Sequence, residues 1–409
     1  MSEPVASPTH LTGHRSFVLF WCARTFTNGA YMMQGVAVGW QIYELTNNPL
    51  DLGLVGLVQF FPLIAMSIIA GQVLDLFDRR VIAGVCQIGK ALAALLLAVG
   101  TAQGWLGREA MFAILFLSGT ARAFEIPTMH ALLPGIVPVT LLPRAIAASA
   151  TAQQTAVICG PSIGGLMYAF GPTAVYATCT LVFVAASALI GLIHVAPRPE
   201  QRKPVTLATV FAGFRYIRHQ PIVLGAISLD LFAVLLGGVT ALLPIYARDI
   251  LEAGPWALGL LRSAPAVGAL ATAIVLAHHS IAGHAGRIMF VAVGMFGLAT
   301  LIFGLSTSVV LSFLALVVYG ASDAVSVVIR QSLVQLRTPH DMLGRVMAVN
   351  AMCTGSSGTL GEFRAGVVAA WLGAVPAVLM GGFGTIVVML IWMWAFPQLR
   401  RVGKLSPEV

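Results

Sequence analysis

Charged side chains are scarce in this sequence: Asp, Glu, Lys and Arg make up 9% of 409 residues. A soluble domain carries about 25%, so water cannot be the main solvent of this surface. The shortage excludes a disordered chain and a nucleic-acid-binding domain. Cysteine is sparse too. The five residues Cys22, Cys86, Cys159, Cys179 and Cys353 include no CxxC pair, which excludes a disulfide scaffold and argues for small buried hydrophobes. There is no Walker loop, so ATP is not the direct driver, and no HExxH or nucleophile elbow. His278, His279 and His284 form a polar loop rather than a metal set. No enzyme activity, cofactor or metal is expected. What the chain has in abundance is hydrophobic residues, at 58%.

A membrane helix needs about 20 mostly apolar residues. By that measure the chain holds twelve spans, near 16–42, 51–74, 80–102, 110–137, 144–170, 173–195, 221–247, 256–278, 287–306, 309–335, 344–370 and 375–396. The polar first fifteen residues carry no cleavable signal, so the first span is expected to direct insertion. With the N-terminus inside, fifteen basic residues fall on inner loops and tails, and only Arg108 and Arg248 fall outside. The positive-inside rule thus places both termini in the cytoplasm, with the cations touching anionic lipid. The predicted fold is an all-α membrane protein of two pseudo-symmetric six-helix bundles, residues 1–195 and 221–409. Between them, 196–220 is a cytoplasmic linker. In it Leu207, Val210, Phe211, Phe214 and Ile217 share one side of an amphipathic helix expected on the inner membrane face.

The halves repeat. In a register of 201 residues Gly119 meets Gly320, Pro138 meets Pro339, Arg144 meets Arg345, Gly160 meets Gly361 and Gly165 meets Gly366. A register of 203 pairs Gly56 with Gly259 and Pro62 with Pro265. Parallel six-span repeats with a site at their interface are the architecture of a rocking transporter.

An ionisable group at bilayer depth costs about 2.5–3.5 kcal/mol on insertion scales, so each asks for a reason. Arg122 and Glu125 stand three apart on the fourth span and are expected to pair. Arg122 corresponds to Asp323 in the repeat register, which would set opposite charges across a central cavity; a static buried pair is the alternative. Asp323 and Arg330 share a face of the tenth span. Asp230 lies about ten residues into the seventh span, about 15 Å deep. It has no basic neighbour along the chain, so it needs a partner on another helix, with Arg24 of the first span as the candidate, or else it rests protonated. Glu362 reaches the cavity in this reading. Lys90, Arg262 and Arg364 are left to snorkel or pair elsewhere. Trp21, Phe26, Tyr31 and Trp40 on the first span are read as lipid or core packing before cargo contacts.

The inner loop Gly71-Gln-Val-Leu-Asp75-Leu-Phe-Asp78-Arg79-Arg80 resembles the signature of the major facilitator superfamily, although Leu76 and Asp78 depart from the usual pattern. Gly119-Thr-Ala-Arg122 resembles its fourth-span arginine signature. The runs GWQIYELTNNPLDLGLVGL, GPSIGG, LGRVMAVNAM and FPQLRR are similar to the enterobactin-exporter-type branch of bacterial siderophore and drug exporters. The resemblance implies a transporter fold and an inner gate. In it Asp75 pairs with Arg79 and Arg80 or caps the helix that begins near Arg345, holding the halves together; a topological anchor alone is the alternative. It also implies a sealing role for Gly160, Pro161, Gly164 and Gly165, whose small faces admit another helix; generic packing is the alternative.

These readings lead to a proton-coupled exporter of a siderophore, drug or other small organic molecule in the bacterial inner membrane, acting as a monomer by alternating access. An importer or uniporter on the same fold remains open, as does a transport-inactive receptor or scaffold.

Overall fold

The computed structural model describes residues 10–194, 207–279 and 283–403. Twelve spans are built from helices α1 (Arg15–Thr46), α2 (Pro49–Ala65) with α3 (Ser67–Leu76), α4 (Arg79–Gln103), α5 (Arg108–Ile136), α6 (Leu142–Met167), α7 (Pro172–Gly191), α9 (Pro221–Gly237) with α10 (Leu243–Ile245), α11 (Pro255–His278), α12 (Ala285–Leu305), α13 (Val309–Arg337), α14 (His340–Leu372) and α15 (Ala374–Ala395). Helix α8 (Leu207–His219) precedes the seventh span, and α16 (Pro397–Arg400) follows the last. Among the described residues, eight helices are both long and apolar enough to cross a membrane on composition alone. The four remaining spans, α1, α2 with α3, α6 and α14, are the more polar or broken ones. Their polar residues include Arg24 and Gln153 in the first half and Asn350, Glu362 and Arg364 in the second.

Element ends follow local chemistry. Proline opens α7, α9 and α11, where its missing N–H costs no hydrogen bond. Asp78 caps α4 by accepting from the Arg80 N–H at 2.8 Å. Two spans expected to be continuous are broken. The second is interrupted at Met66, and the seventh stops at Gly237 and resumes through a 3-10 turn, α10 and a π-helical turn at Tyr246–Ile250.

The chain forms two compact units. The first holds the sequence up to Gln41 and from Val58 to the linker; the second holds Ile42–Leu57 and the sequence after the linker. The sequence reading assigned all of 1–195 to the first bundle. The stretch Ile42–Leu57 joins the second unit through polar contacts. Tyr43 Oη donates to Asp249 Oδ2 at 2.5 Å, and Arg248 donates to Asn47 Oδ1 at 2.9 Å.

The repeat reappears in the helix contacts. In the first unit a Cβ on Gly119 of α5 would lie 2.6 Å from the Gln59 carbonyl of α2; in the second, one on Gly320 of α13 would lie 2.0 Å from the Pro265 carbonyl of α11. Both are forced glycines, because a neighbouring backbone occupies the side-chain space. They join the fourth span to the second and the tenth to the eighth.

Helix α8 rests on the second unit. Ile217 is buried with Val334, Val346 and Val349, and Tyr216 Oη donates to the Arg337 carbonyl at 2.9 Å. Phe214 is exposed. The side chains of Leu207, Val210 and Phe211 lie outside the described residues. The apolar side of this helix therefore packs, at Ile217, on protein and not only on lipid.

Candidate functional site

Among the described residues each unit holds one buried ion pair, and neither is the pair expected from the sequence. In the first unit α4 brings Gln87 and Lys90 one helical turn apart towards Glu125 of α5. Lys90 Nζ pairs with Glu125 Oε2, with side chains only 2% and 8% exposed. Gln87 Nε2 donates to Glu125 Oε1 at 2.8 Å, and Thr27 of α1 donates to Gln87 Oε1 at 3.0 Å. Glu125 is thus held by Lys90, not by Arg122. The spacing of three residues allowed an Arg122–Glu125 contact, but a lysine on a neighbouring helix took the carboxylate. Lys90, left by the sequence reading to snorkel, is the partner of Glu125 that spacing along one helix did not name. Its isolation in an apolar span was a usable signal.

Arg122 instead lies over Tyr31 of α1, its guanidinium carbon 3.9 Å from the ring centre. Tyr31 Oη donates to Gln59 Oε1 at 2.7 Å, which fixes the ring. Arg24 Nη2 donates to Gln153 Oε1 of α6 at 3.0 Å, while its Nε is buried without an acceptor among the described residues. Arg24, Tyr31, Lys90, Arg122, Glu125 and Gln153 line a cleft of about 120 Å³ inside this unit.

In the second unit Asp230 of α9 finds its partner on α13. Asp230 Oδ2 lies 3.1 Å from Arg330 Nη1, with side chains 4% and 1% exposed. Arg24 is therefore not the partner of Asp230. Arg330 Nη1 also donates to Asn350 Oδ1 at 3.0 Å and Thr354 Oγ1 at 2.8 Å, both on α14. The three helices are tied to one guanidinium. Asp323, two turns before Arg330 on α13, shares the electrostatic field of Asp230 and Arg330. Among the described residues no group donates a hydrogen bond to its carboxylate. Two acids and one cation leave this cluster one formal negative charge in excess.

The segment Gly361-Glu-Phe-Arg-Ala-Gly366 of α14 completes the break in the seventh span. Arg364 donates from Nε to the Leu235 carbonyl at 3.0 Å and from Nη2 to the Leu236 carbonyl. Thr240 beyond the break donates to Glu362 Oε1 at 2.6 Å. Interrupted backbone at membrane depth must find partners in the protein, and Arg364 provides them for the Leu235 and Leu236 carbonyls, while Glu362 takes the Thr240 hydroxyl. Arg364, expected to snorkel or pair elsewhere, is a helix cap.

At the loop between α3 and α4, Asp78 pairs with Arg80 at 3.0 Å, and Arg80 Nη1 donates to the Ile193 carbonyl at 2.9 Å. Arg79 donates to the Ala131 carbonyl at 3.0 Å. The arginines thereby bind α4 to the ends of α5 and α7. The hydrogen bond from Arg80 holds the Asp78 carboxyl below its usual range. Gly71 is exposed, the Asp75 side chain lies outside the described residues, and Arg345 is exposed with Nη1 3.3 Å from Met342 Sδ.

Gly160, Pro161, Gly164 and Gly165 are buried in α6. A Cβ on Gly160 would meet Met32 Cβ at 2.7 Å, and one on Gly164 would meet Met33 Cα at 2.8 Å. The fifth span is thus pressed against the first. The cysteines are all free; Cys86 and Cys179 are buried, but Cys159 is exposed and Cys22 and Cys353 are partly so.

Comparison with known proteins agrees with this architecture. The chain is 25% identical over 410 aligned positions to the enterobactin exporter EntS of Escherichia coli O81 (strain ED1a), covering 98% of this chain and 96% of that protein. EntS of Shigella boydii serotype 18 (strain CDC 3083-94 / BS512) matches with the same identity and coverage. Among solved structures, the nucleoside transporter NupG superposes with a TM-score of 0.71 at 14% identity, covering 93% of this chain and 99% of NupG. A bacterial homologue of the iron transporter ferroportin, in an inward-facing state, superposes with a TM-score of 0.70 at 17% identity, covering 94% of this chain and 98% of that one. The profile of the transmembrane secretion effector family matches residues 7–405. The chain belongs to that family of the major facilitator superfamily and is a multi-pass membrane transporter.

Proposed function

We propose that this transporter exports a small organic molecule in exchange for protons. The supporting observation is the Asp230–Arg330 pair with Asp323 beside it. One carboxylate suffices to neutralise Arg330, so the other can take and give a proton without stranding the cation. Burial makes that choice sensitive: carrying the excess negative charge into a low-dielectric site is costly, and protonation removes the cost. In this reading Asp230 and Asp323 share the proton. Glu125 with Lys90 forms a second coupling point in the other half, and Glu362 holds the seventh span. Both termini face the cytoplasm, and Gly71, Asp75, Asp78, Arg79, Arg80 and Arg345 form the inner gate. The protein acts as a monomer in a bacterial inner membrane. The likeness to enterobactin exporters makes a catecholate siderophore the first cargo to try, ahead of drugs and other metabolites.

The test is flux in proteoliposomes. An imposed proton gradient drives cargo movement opposite to the protons, and Asp230→Asn with Asp323→Asn uncouples the two. Flux that ignores the gradient, or a double variant that remains fully coupled, overturns the proposal. Accumulation in inside-out vesicles tests the direction.

A further inference from the structure

We infer that the cleft of the first unit is an anion subsite, in which Arg24 and Arg122 receive the carboxylate of an organic-acid cargo. The inference rests on the transport of a small organic molecule and names the chemical class of one end of it.

The charge count is the starting point. Arg24, Lys90 and Arg122 line the cleft against a single carboxylate, Glu125. Lys90 is already paired with that carboxylate. Arg24 and Arg122 are left with no carboxylate in salt-bridge contact among the described residues. Two guanidiniums with no carboxylate in direct contact inside a membrane helix bundle are costly. An incoming anion removes that cost.

The geometry suits a two-oxygen anion. Arg122 lies over the Tyr31 ring, which holds its guanidinium beside the cleft. The hydrogen bond from Tyr31 to Gln59 keeps the platform in place. Arg24 is anchored at one nitrogen by Gln153, and its buried Nε has no acceptor among the described residues. A planar guanidinium presents paired donors that match a carboxylate better than a point charge would. The volume of about 120 Å³ is near that of a cavity that takes one benzene ring, about 150 Å³. That space accommodates a carboxylate with one ring.

The test compares benzoate with benzamide, its neutral isostere, by calorimetry on the purified full chain in phosphatidylcholine nanodiscs. Benzoate is expected to bind about tenfold or more tightly, the scale of one charge-assisted hydrogen bond. Arg24→Gln and Arg122→Gln each remove that preference, while Arg108→Gln, in an outer loop, keeps it. Equal binding of the two probes to the unaltered protein overturns the subsite with no variant needed. So does a preference that survives both substitutions. A lipid headgroup offers a similar anion. If phosphatidylglycerol at about one part in three abolishes benzoate binding, the site belongs to lipid and the cargo assignment fails. Proton-driven flux of a cargo without benzoate preference refutes the subsite alone. Benzoate preference without proton-driven flux refutes the exporter reading alone.

Discussion

Removing one partner of the Asp230–Arg330 pair breaks a buried ion contact, and removing Arg330 also leaves its acids without a cation. The contact is 3.1 Å, with side chains 4% and 1% exposed. At an effective dielectric near 20, two unit charges at that distance attract by about 5 kcal/mol. Asn350 and Thr354 remain as neutral acceptors for Arg330, and Asp323 stays in its field. Those survivors offset part of the loss, so Asp230→Asn should cost about 3 kcal/mol, the low end for breaking a buried pair. Arg330→Met is worse, because two carboxylates then share an apolar site; about 4–5 kcal/mol is expected. The double variant carries neither stranded cation nor paired acids, so it should be more stable than the Arg330→Met single variant. The cycle is measured by denaturant unfolding in detergent at neutral pH, and the coupling should exceed about 2 kcal/mol. Single variants within about 0.5 kcal/mol of the parent, with no coupling, would show that the pair bears no weight and refute the reasoning.

The same logic applies to the first unit: Lys90→Met strands Glu125 and should lower stability by about 3 kcal/mol, whereas Lys90→Met with Glu125→Gln recovers most of it, as read by thermal unfolding. Gly164→Ala should cost about 1–3 kcal/mol by forcing α6 away from α1, because the new methyl meets backbone at Met33. By contrast Gly355→Ala, with nothing within 4 Å, should gain about 0.5–1 kcal/mol in helix stability. Asp78 supports the folded state through its depressed carboxyl pKa. That support is present above the unfolded carboxyl value of about 3.9 and is lost as pH falls through the lower folded value. Unfolding curves of Asp78→Asn should therefore lie below the parent at neutral pH and converge with it in acid; a gap that widens in acid contradicts the assignment.

How much of this was legible in the sequence depended on the kind of signal. Burying some twenty apolar residues in a row has one solution in lipid, so the twelve spans were readable. The repeat register was readable because forced glycines such as Gly119 and Gly320 recur wherever backbones touch. The break of the seventh span was not, since Gly237 and Gly238 stand in a run as apolar as any helix. Arg364 and Glu362 show their purpose only once the freed carbonyls of Leu235 and Leu236 and the Thr240 hydroxyl lie beside them.

Composition and spacing by themselves determined the solvent, the span count, the doubling of the fold and the handful of buried charges worth asking about. Which charge meets which was decided by tertiary structure alone. Glu125 took Lys90 from α4 over Arg122 on its own helix, and Asp230 took Arg330, a hundred residues distant. A period of 3.6 residues ranks neighbours along one helix, but a buried ion settles with whatever opposite charge the packing of other helices brings to its depth.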